Sequence, residues 1–165
     1  MPPEAARTGL LEAEPAITST GSAQPQPLWL HASCVELGRT GVVLLGPSGS
    51  GKSDLALRLI DGGARLIADD RLAVERAGGR LLGRPAAALA GLLEVRGLGI
   101  LRLPYGAVCR LGLIVDLDPQ ARPERLPEPE VLPLLGIALP RLRLDPTAPS
   151  ACAKVRLALA AERVA

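Results

Sequence analysis

The sequence predicts an α/β fold, a mixed β-sheet core with flanking helices organised around a phosphate-binding loop. Three observations predict it. The stretch Gly46-Pro47-Ser48-Gly49-Ser50-Gly51-Lys52-Ser53 has the G-x-x-x-x-G-K-S spacing of such a loop and directly follows the apolar run Val42–Leu45. Leu55, Ala56, Leu59 and Ile60 then recur at helical spacing. A second apolar run, Arg65–Ala68, ends on the acidic pair Asp69-Asp70, and further strand-like runs follow it.

Residues 1–27 are rich in Ala, Glu, Pro, Ser and Thr and lack periodicity, so they read as a flexible tail before a domain spanning residues 28–165. Trp29–Leu37 suits an extended segment, Gly38–Gly41 a turn, and Val42–Leu45 a short buried strand that feeds the loop. In the helix that follows, Asp54 and Arg58 can pair one turn apart, and Gly62-Gly63 offers a stop. Leu72–Arg76 and Arg80–Leu82 flank Gly78-Gly79 as a hairpin. The two glycines of Glu94-Val95-Arg96-Gly97-Leu98-Gly99-Ile100 mark a bend or a close backbone approach. Cys109–Leu117 and Ile137–Leu144 read as strands joined by a Pro-rich, charged loop over residues 118–133. Ser150–Val164 is expected to form a terminal helix with Val155, Ala158 and Leu159 on one side.

Composition narrows the function. A chain of 165 residues can bury one core without disulfides or metals, and Cys34, Cys109 and Cys152 match neither a disulfide framework nor a zinc spacing. Mean hydropathy is +0.26, yet no long run is free of charges, Pro and Gly, so a membrane span is not expected. The N-terminus lacks a basic start and an apolar h-region, which points to a cytoplasmic protein. The net charge of +2 is interspersed, and with one Trp, one Tyr and no Phe there is no base-stacking platform; nucleic acid is not an expected partner.

Lys52 and Lys154 are the only lysines in an otherwise Arg-dominated basic set, and Lys52 falls where the loop needs one. Gly46, Gly49 and Gly51 allow backbone N–H groups to converge on phosphates, and the helix starting at Lys52 adds its positive end. Pro47, Ser48 and Ser50 complete the cradle, Lys52 can reach the β and γ phosphates, and the Ser53 hydroxyl can ligate Mg²⁺. The acidic pair Asp69-Asp70 is expected beside the loop through parallel-sheet geometry. One acid would then bind Mg²⁺ while the other takes a proton from an attacking hydroxyl; a solvated turn before Arg71 is the plainer alternative. His31 and Glu94 are weak signals by residue type alone.

Taken together, GPSGSGKS, RLIADD and LEVRGLGI resemble HPr kinase/phosphorylase, and in particular its short, catalytic-domain-only form found in some proteobacteria. The resemblance runs over roughly residues 28–145. It implies a phosphoenolpyruvate carboxykinase-like fold and a hexamer. It implies phosphorylation of a serine on a small HPr-like phosphocarrier of the phosphotransferase system, with ATP or pyrophosphate as donor, and the reverse phosphorolysis by phosphate to pyrophosphate. Carried across, Asp69 is the general base; Ser53 and Asp70 hold Mg²⁺, with Glu94 near a second cation. His31 lies by the transferred group, Arg96 belongs to the site or its coupling to the partner, and Arg125 stands in for a loop arginine. The resemblance also implies that the regulatory N-terminal domain of longer members has no counterpart here. A small-molecule kinase using the same loop, and a nucleotide-dependent regulator without turnover, are the competing readings.

Overall fold

The computed structural model describes residues 26–164, so the expected tail, but for Gln26 and Pro27, lies outside the described residues. In chain order the elements are β1 (Leu28–Leu30), β2 (Ser33–Leu37), β3 (Thr40–Leu45), α1 (Lys52–Asp61), β4 (Arg65–Ala68), β5 (Leu72–Ala77), β6 (Arg80–Pro85), a 3₁₀ turn (Ala87–Leu89), β7 (Leu92–Val95), β8 (Gly99–Arg102), β9 (Cys109–Leu117), β10 (Glu130–Leu134), β11 (Ile137–Leu144) and α2 (Ala151–Ala160).

Nine strands form one mixed sheet along the path β1-β5-β6-β9-β3-β2-β4, with β11 also beside β9 and β10 beside β11. β9 organises this sheet. Along one edge it pairs in parallel with β3. On its other edge it starts antiparallel to β6 and then runs parallel to β11. The expected parallel neighbours β3 and β4 do point the same way, but they do not touch: β2 lies between them, antiparallel to both.

The middle of the sheet is buried on both faces, which is why its strands read as continuous apolar runs rather than alternating ones. On one face Val42, Leu44, Leu113 and Val115 pack with Leu55, Ala56 and Leu59 of α1 and Val155 of α2. On the other, Cys34, Val43 and Ile114 pack with Leu72, Val74 and Leu81 from β5 and β6 and with Leu134 and Leu139 from β10 and β11. Helix α1 ends as expected: the Gly62 N–H donates to Arg58 O at 3.1 Å, and Gly63 follows at φ +109°. The Asp54–Arg58 pair forms at 3.1 Å. The cysteines are free, Cys34 and Cys109 buried with their sulfurs 3.8 Å apart.

Three expectations change and a fourth is made specific. The extended segment at residues 29–37 breaks at His31-Ala32, because β1 pairs with β5 whereas β2 joins β3 and β4. The loop over residues 118–133 stops at Glu130, where β10 begins. Pro133 hides that strand in the sequence, but among the described residues β10 pairs only with β11, so the missing N–H falls on a sheet edge where it is tolerated. The bend in the glycine-containing stretch is the turn of a separate β7–β8 hairpin, with Gly97 at φ +88°. Helix α2 ends at Ala160 and exposes Ala158; its covered seam is Ala151 and Val155, with Cys152 and Leu159 partly covered.

Gly41 in β3 shows how closely these layers approach. A Cβ there would lie 2.5 Å from Cys109 Sγ and 3.1 Å from the Arg110 carbonyl. Gly41→Ala is therefore expected to destabilise the fold by about 1–3 kcal/mol through overpacking, read from the urea midpoint. Most of that loss should return in Gly41→Ala/Cys109→Ala.

Candidate functional site

The site is built where β3 ends. Gly49 and Gly51 adopt φ of +80° and +96°, conformations other residues strain to adopt, and a side chain on Gly46 would collide with Ser50. The loop is closed by Ser50 N donating to Pro47 O at 3.0 Å, and helix α1 starts with Leu55 N donating to Gly51 O at 2.9 Å. No side chain caps α1, so its first N–H groups face the loop and offer an anion site. Lys52 is nearly buried and curls back over the loop, its Nζ donating to Gly46 O at 2.6 Å and Pro47 O at 3.0 Å. Burial lowers its pKa from the usual lysine value, against the opposing pull of the Asp70 and Asp69 charges. The Ser50 hydroxyl is buried without a hydrogen-bond partner among the described residues.

Asp69 follows β4 and is buried. Its Oδ1 accepts from Ser53 Oγ and from Ser33 Oγ, each at 2.8 Å, and its Oδ2 accepts from the Glu94 N–H at 3.2 Å. The carboxylate thus joins β4 to α1, β2 and β7. Asp70 turns the other way. It is a non-glycine residue at φ +67°, and its exposed carboxylate lies 3.2 Å from His31 Nε2. His31 stands at the break between β1 and β2, so the interposed β2 brings both His31 and Ser33 to the acidic pair. In front of Asp70 is a cleft of about 250 Å³ bounded by Trp29, Arg71 and Leu89, with the Arg71 guanidinium stacked 4.3 Å from the Trp29 ring centre.

The structure brings the loop, Lys52, Ser53, Asp69, Asp70 and His31 together. It gives the two acids different surroundings. The Ser53 hydroxyl bonds to Asp69, not Asp70, and Asp69 is already occupied by three donors, whereas Asp70 is open to an incoming group and paired with histidine. Glu94 joins through its backbone. Its side chain is exposed, between buried Leu93 and Val95, and among the described residues no three His, Cys, Asp or Glu side chains gather in metal-ligand geometry. Arg96 and Arg125 are exposed and make no hydrogen bond or ion pair among the described residues. Ser33 was not legible as a site residue: a lone serine opening an apolar strand carries no motif.

Comparison with known proteins places these features in context. Residues 25–122 match the family model described as the HPr serine kinase C-terminal domain. HPr kinase/phosphorylase of Geobacillus thermodenitrificans is 38% identical over 127 residues, 70% of this chain and 41% of the relative. That of Clostridium tetani is 40% identical over 96 residues, 54% of this chain and 32% of the relative. The chain therefore spans well under half the length of these curated relatives. The solved structure of the Hpr(Ser) kinase/phosphatase from Coxiella burnetii shares the fold, with a TM-score of 0.70 at 22% identity, covering 80% of this chain and 93% of that one. Among the described residues no helix is long and apolar enough to cross a membrane.

Ser33 is fully buried and donates to a carboxylate. Ser33→Ala should cost about 1.5–3 kcal/mol, the range for a hydrogen bond to a charged group, measured as a lowered urea midpoint; an unchanged midpoint would show that the bond does not form in solution.

Proposed function

The chain belongs to the HPr serine kinase C-terminal domain family, and from that premise and the site geometry we propose that it phosphorylates a serine of a small HPr-like phosphocarrier of the phosphotransferase system. ATP is the donor, and the same site removes the group by phosphorolysis with inorganic phosphate, forming pyrophosphate. The observation that carries this reading is the Ser53–Asp69 contact, which joins the glycine loop to the acidic pair so that one phosphate site faces one exposed acid.

In this reading Gly46–Gly51 is a phosphate-binding loop whose N–H groups, with the start of α1, hold the β and γ phosphates. Lys52 exchanges its loop carbonyls for phosphate oxygens, and the orphaned Ser50 hydroxyl acquires a partner. Asp70, oriented by His31, takes the proton of the acceptor serine as its oxygen bonds to the γ-phosphorus and the bond to the β-γ bridging oxygen breaks. In phosphorolysis phosphate attacks phosphoserine, pyrophosphate forms as the bond to the serine oxygen breaks, and Asp70 returns the proton to that oxygen, the same group serving as acid where it serves as base in the transfer direction. The Ser53 hydroxyl and the Asp69 carboxylate suit Mg²⁺, because a hard cation that keeps waters and phosphate oxygens needs few protein ligands. When bound, Mg²⁺ neutralises phosphate charge. Arg96 and Arg125 are cations available to the carrier protein.

The same resemblance extends the proposal to a catalytic domain over residues 28–165, a phosphoenolpyruvate carboxykinase-like core, a hexamer and a cytoplasmic location. The β2 strand interposed between β3 and β4 supports such a mixed core over an all-parallel one.

Incubation with γ-labelled ATP, Mg²⁺ and a seryl phosphocarrier tests the proposal: label should appear on the carrier serine and leave as pyrophosphate when phosphate is added. Asp70→Asn should lower transfer by about 100-fold or more while ATP still binds. Should Asp69→Asn stop transfer with ATP affinity intact and Asp70→Asn retain it, the two roles are reversed. Lys52→Ala should weaken ATP binding itself, measured by calorimetry.

A further inference from the structure

One acylatable amine sits among the anion-binding groups of the loop. Lys52 is 7% exposed, and its Nζ donates to Gly46 O at 2.6 Å and to Pro47 O at 3.0 Å, so the amine lies inside the ring of loop groups rather than out in solvent. The Ser50 hydroxyl, in a residue 4% exposed, is aimed at the same ring: a Cβ on Gly46 would sit 2.4 Å from Ser50 Oγ, and that oxygen has no hydrogen-bond partner among the described residues. The first N–H groups of α1 are capped by no side chain. Together these donors suit an anion with several oxygens. The crest of the loop is open to such a group, because Pro47, Ser48 and Gly49 are exposed.

A lysine amine can be acylated, whereas the arginine guanidinium that supplies nearly all of this chain's basic charge stays protonated and does not serve as a nucleophile. The only other lysine, Lys154, is exposed on α2, outside the loop. The chain therefore holds two amine side chains in opposite settings, one within an anion site and one in open solvent.

We propose that the loop makes Lys52 a site of covalent acylation by small acyl phosphates, and that this modification switches the phosphate site off. The assignment rests on the phosphotransferase reading above. An acyl phosphate carries its carbonyl carbon one bridging oxygen away from phosphorus. Docking its phosphate in the loop therefore leaves that carbon about 3–3.5 Å from an amine that bonds the phosphate oxygens, the separation of a near-attack arrangement. The Lys52 ammonium gives a proton to solvent, its nitrogen bonds to the carbonyl carbon, and the bond from that carbon to the bridging oxygen breaks. Inorganic phosphate leaves and a neutral amide remains; nothing is oxidised or reduced. ATP and pyrophosphate contain no carbonyl carbon, so they occupy the same loop without this reaction. Acylated Lys52 has lost the positive charge and the ammonium donors that phosphates require.

The test treats the wild-type protein with acetyl phosphate or with acetic anhydride, which has no phosphate to dock, and reads acetylation of Lys52 and Lys154 separately by mass spectrometry. Acetyl phosphate should modify Lys52 about tenfold or more faster than Lys154, while acetic anhydride should favour the exposed Lys154. Saturating pyrophosphate should suppress the acetyl phosphate reaction at Lys52 and leave Lys154 unchanged. The fraction of protein that binds ATP, measured by calorimetry, should fall in step with acetylation of Lys52. Equal acetyl phosphate rates at the two lysines, or a Lys52 rate that pyrophosphate leaves untouched, overturns the proposal. Calorimetry of the unmodified protein separates the two readings. If it binds ATP and pyrophosphate but Lys52 stays unacetylated, the acylation site falls and the phosphate loop stands; if it binds neither, the phosphotransferase reading falls and the acylation site with it.

Discussion

A buried carboxylate holds the functional end of this molecule together. Asp69 leaves β4 into a nearly closed environment, where an unsatisfied charge would cost several kcal/mol, and it is satisfied by Ser33 from β2, Ser53 from α1 and the Glu94 amide from β7. Those donors come from residues 36 positions before it to 25 after it, so the bonds fix the relative placement of four elements at one point. The geometry of the neighbouring residue follows. With Asp69 turned inward, Asp70 takes a left-handed backbone conformation that disfavours a side chain by about 1–2 kcal/mol, and this points its carboxylate outward to His31. Two adjacent residues of the same type therefore have opposite environments.

The strand arrangement makes this possible. Inserting β2 antiparallel between β3 and β4 widens the gap between the loop and the acids by one strand, and it fills that gap with the start of β2 and the residues before it. An all-parallel neighbour would have placed the acids closer but would have supplied neither Ser33 nor His31. On the other side of β3, the long strand β9 changes partner from β6 to β11, which turns the sheet and leaves the carboxyl ends of three parallel strands on one edge. The acidic pair occupies one flank of the loop and the ends of β9 and β11 the other.

Local features were legible in the sequence. The loop could be read because its backbone conformation demands glycine at Gly49 and Gly51, and the helix after it because Leu55, Ala56, Leu59 and Ile60 share a face. The hairpin at Gly78-Gly79 was equally plain, since its turn needs a positive φ. Strand β10 was not legible because Pro133 argues against a strand unless one already knows that the strand is an edge. The end of α2 was misjudged because periodicity continues past the point where the helix has a surface to pack on.

Sequence by itself determined the groups available: a glycine loop with the spacing of a phosphate-binding loop, one lysine in it, two acids after the next strand of like direction, and a histidine ahead of them. These are carried by residue type and short spacing, and short-range backbone requirements leave their mark directly in composition. Tertiary structure alone decided which acid is buried and which is exposed, that Ser33 reaches the acidic pair, and that the Glu94 amide donates to Asp69. Each of those depends on which distant donor reaches a side chain. That is set by the order of strands in the sheet, and no local pattern of residues encodes strand order.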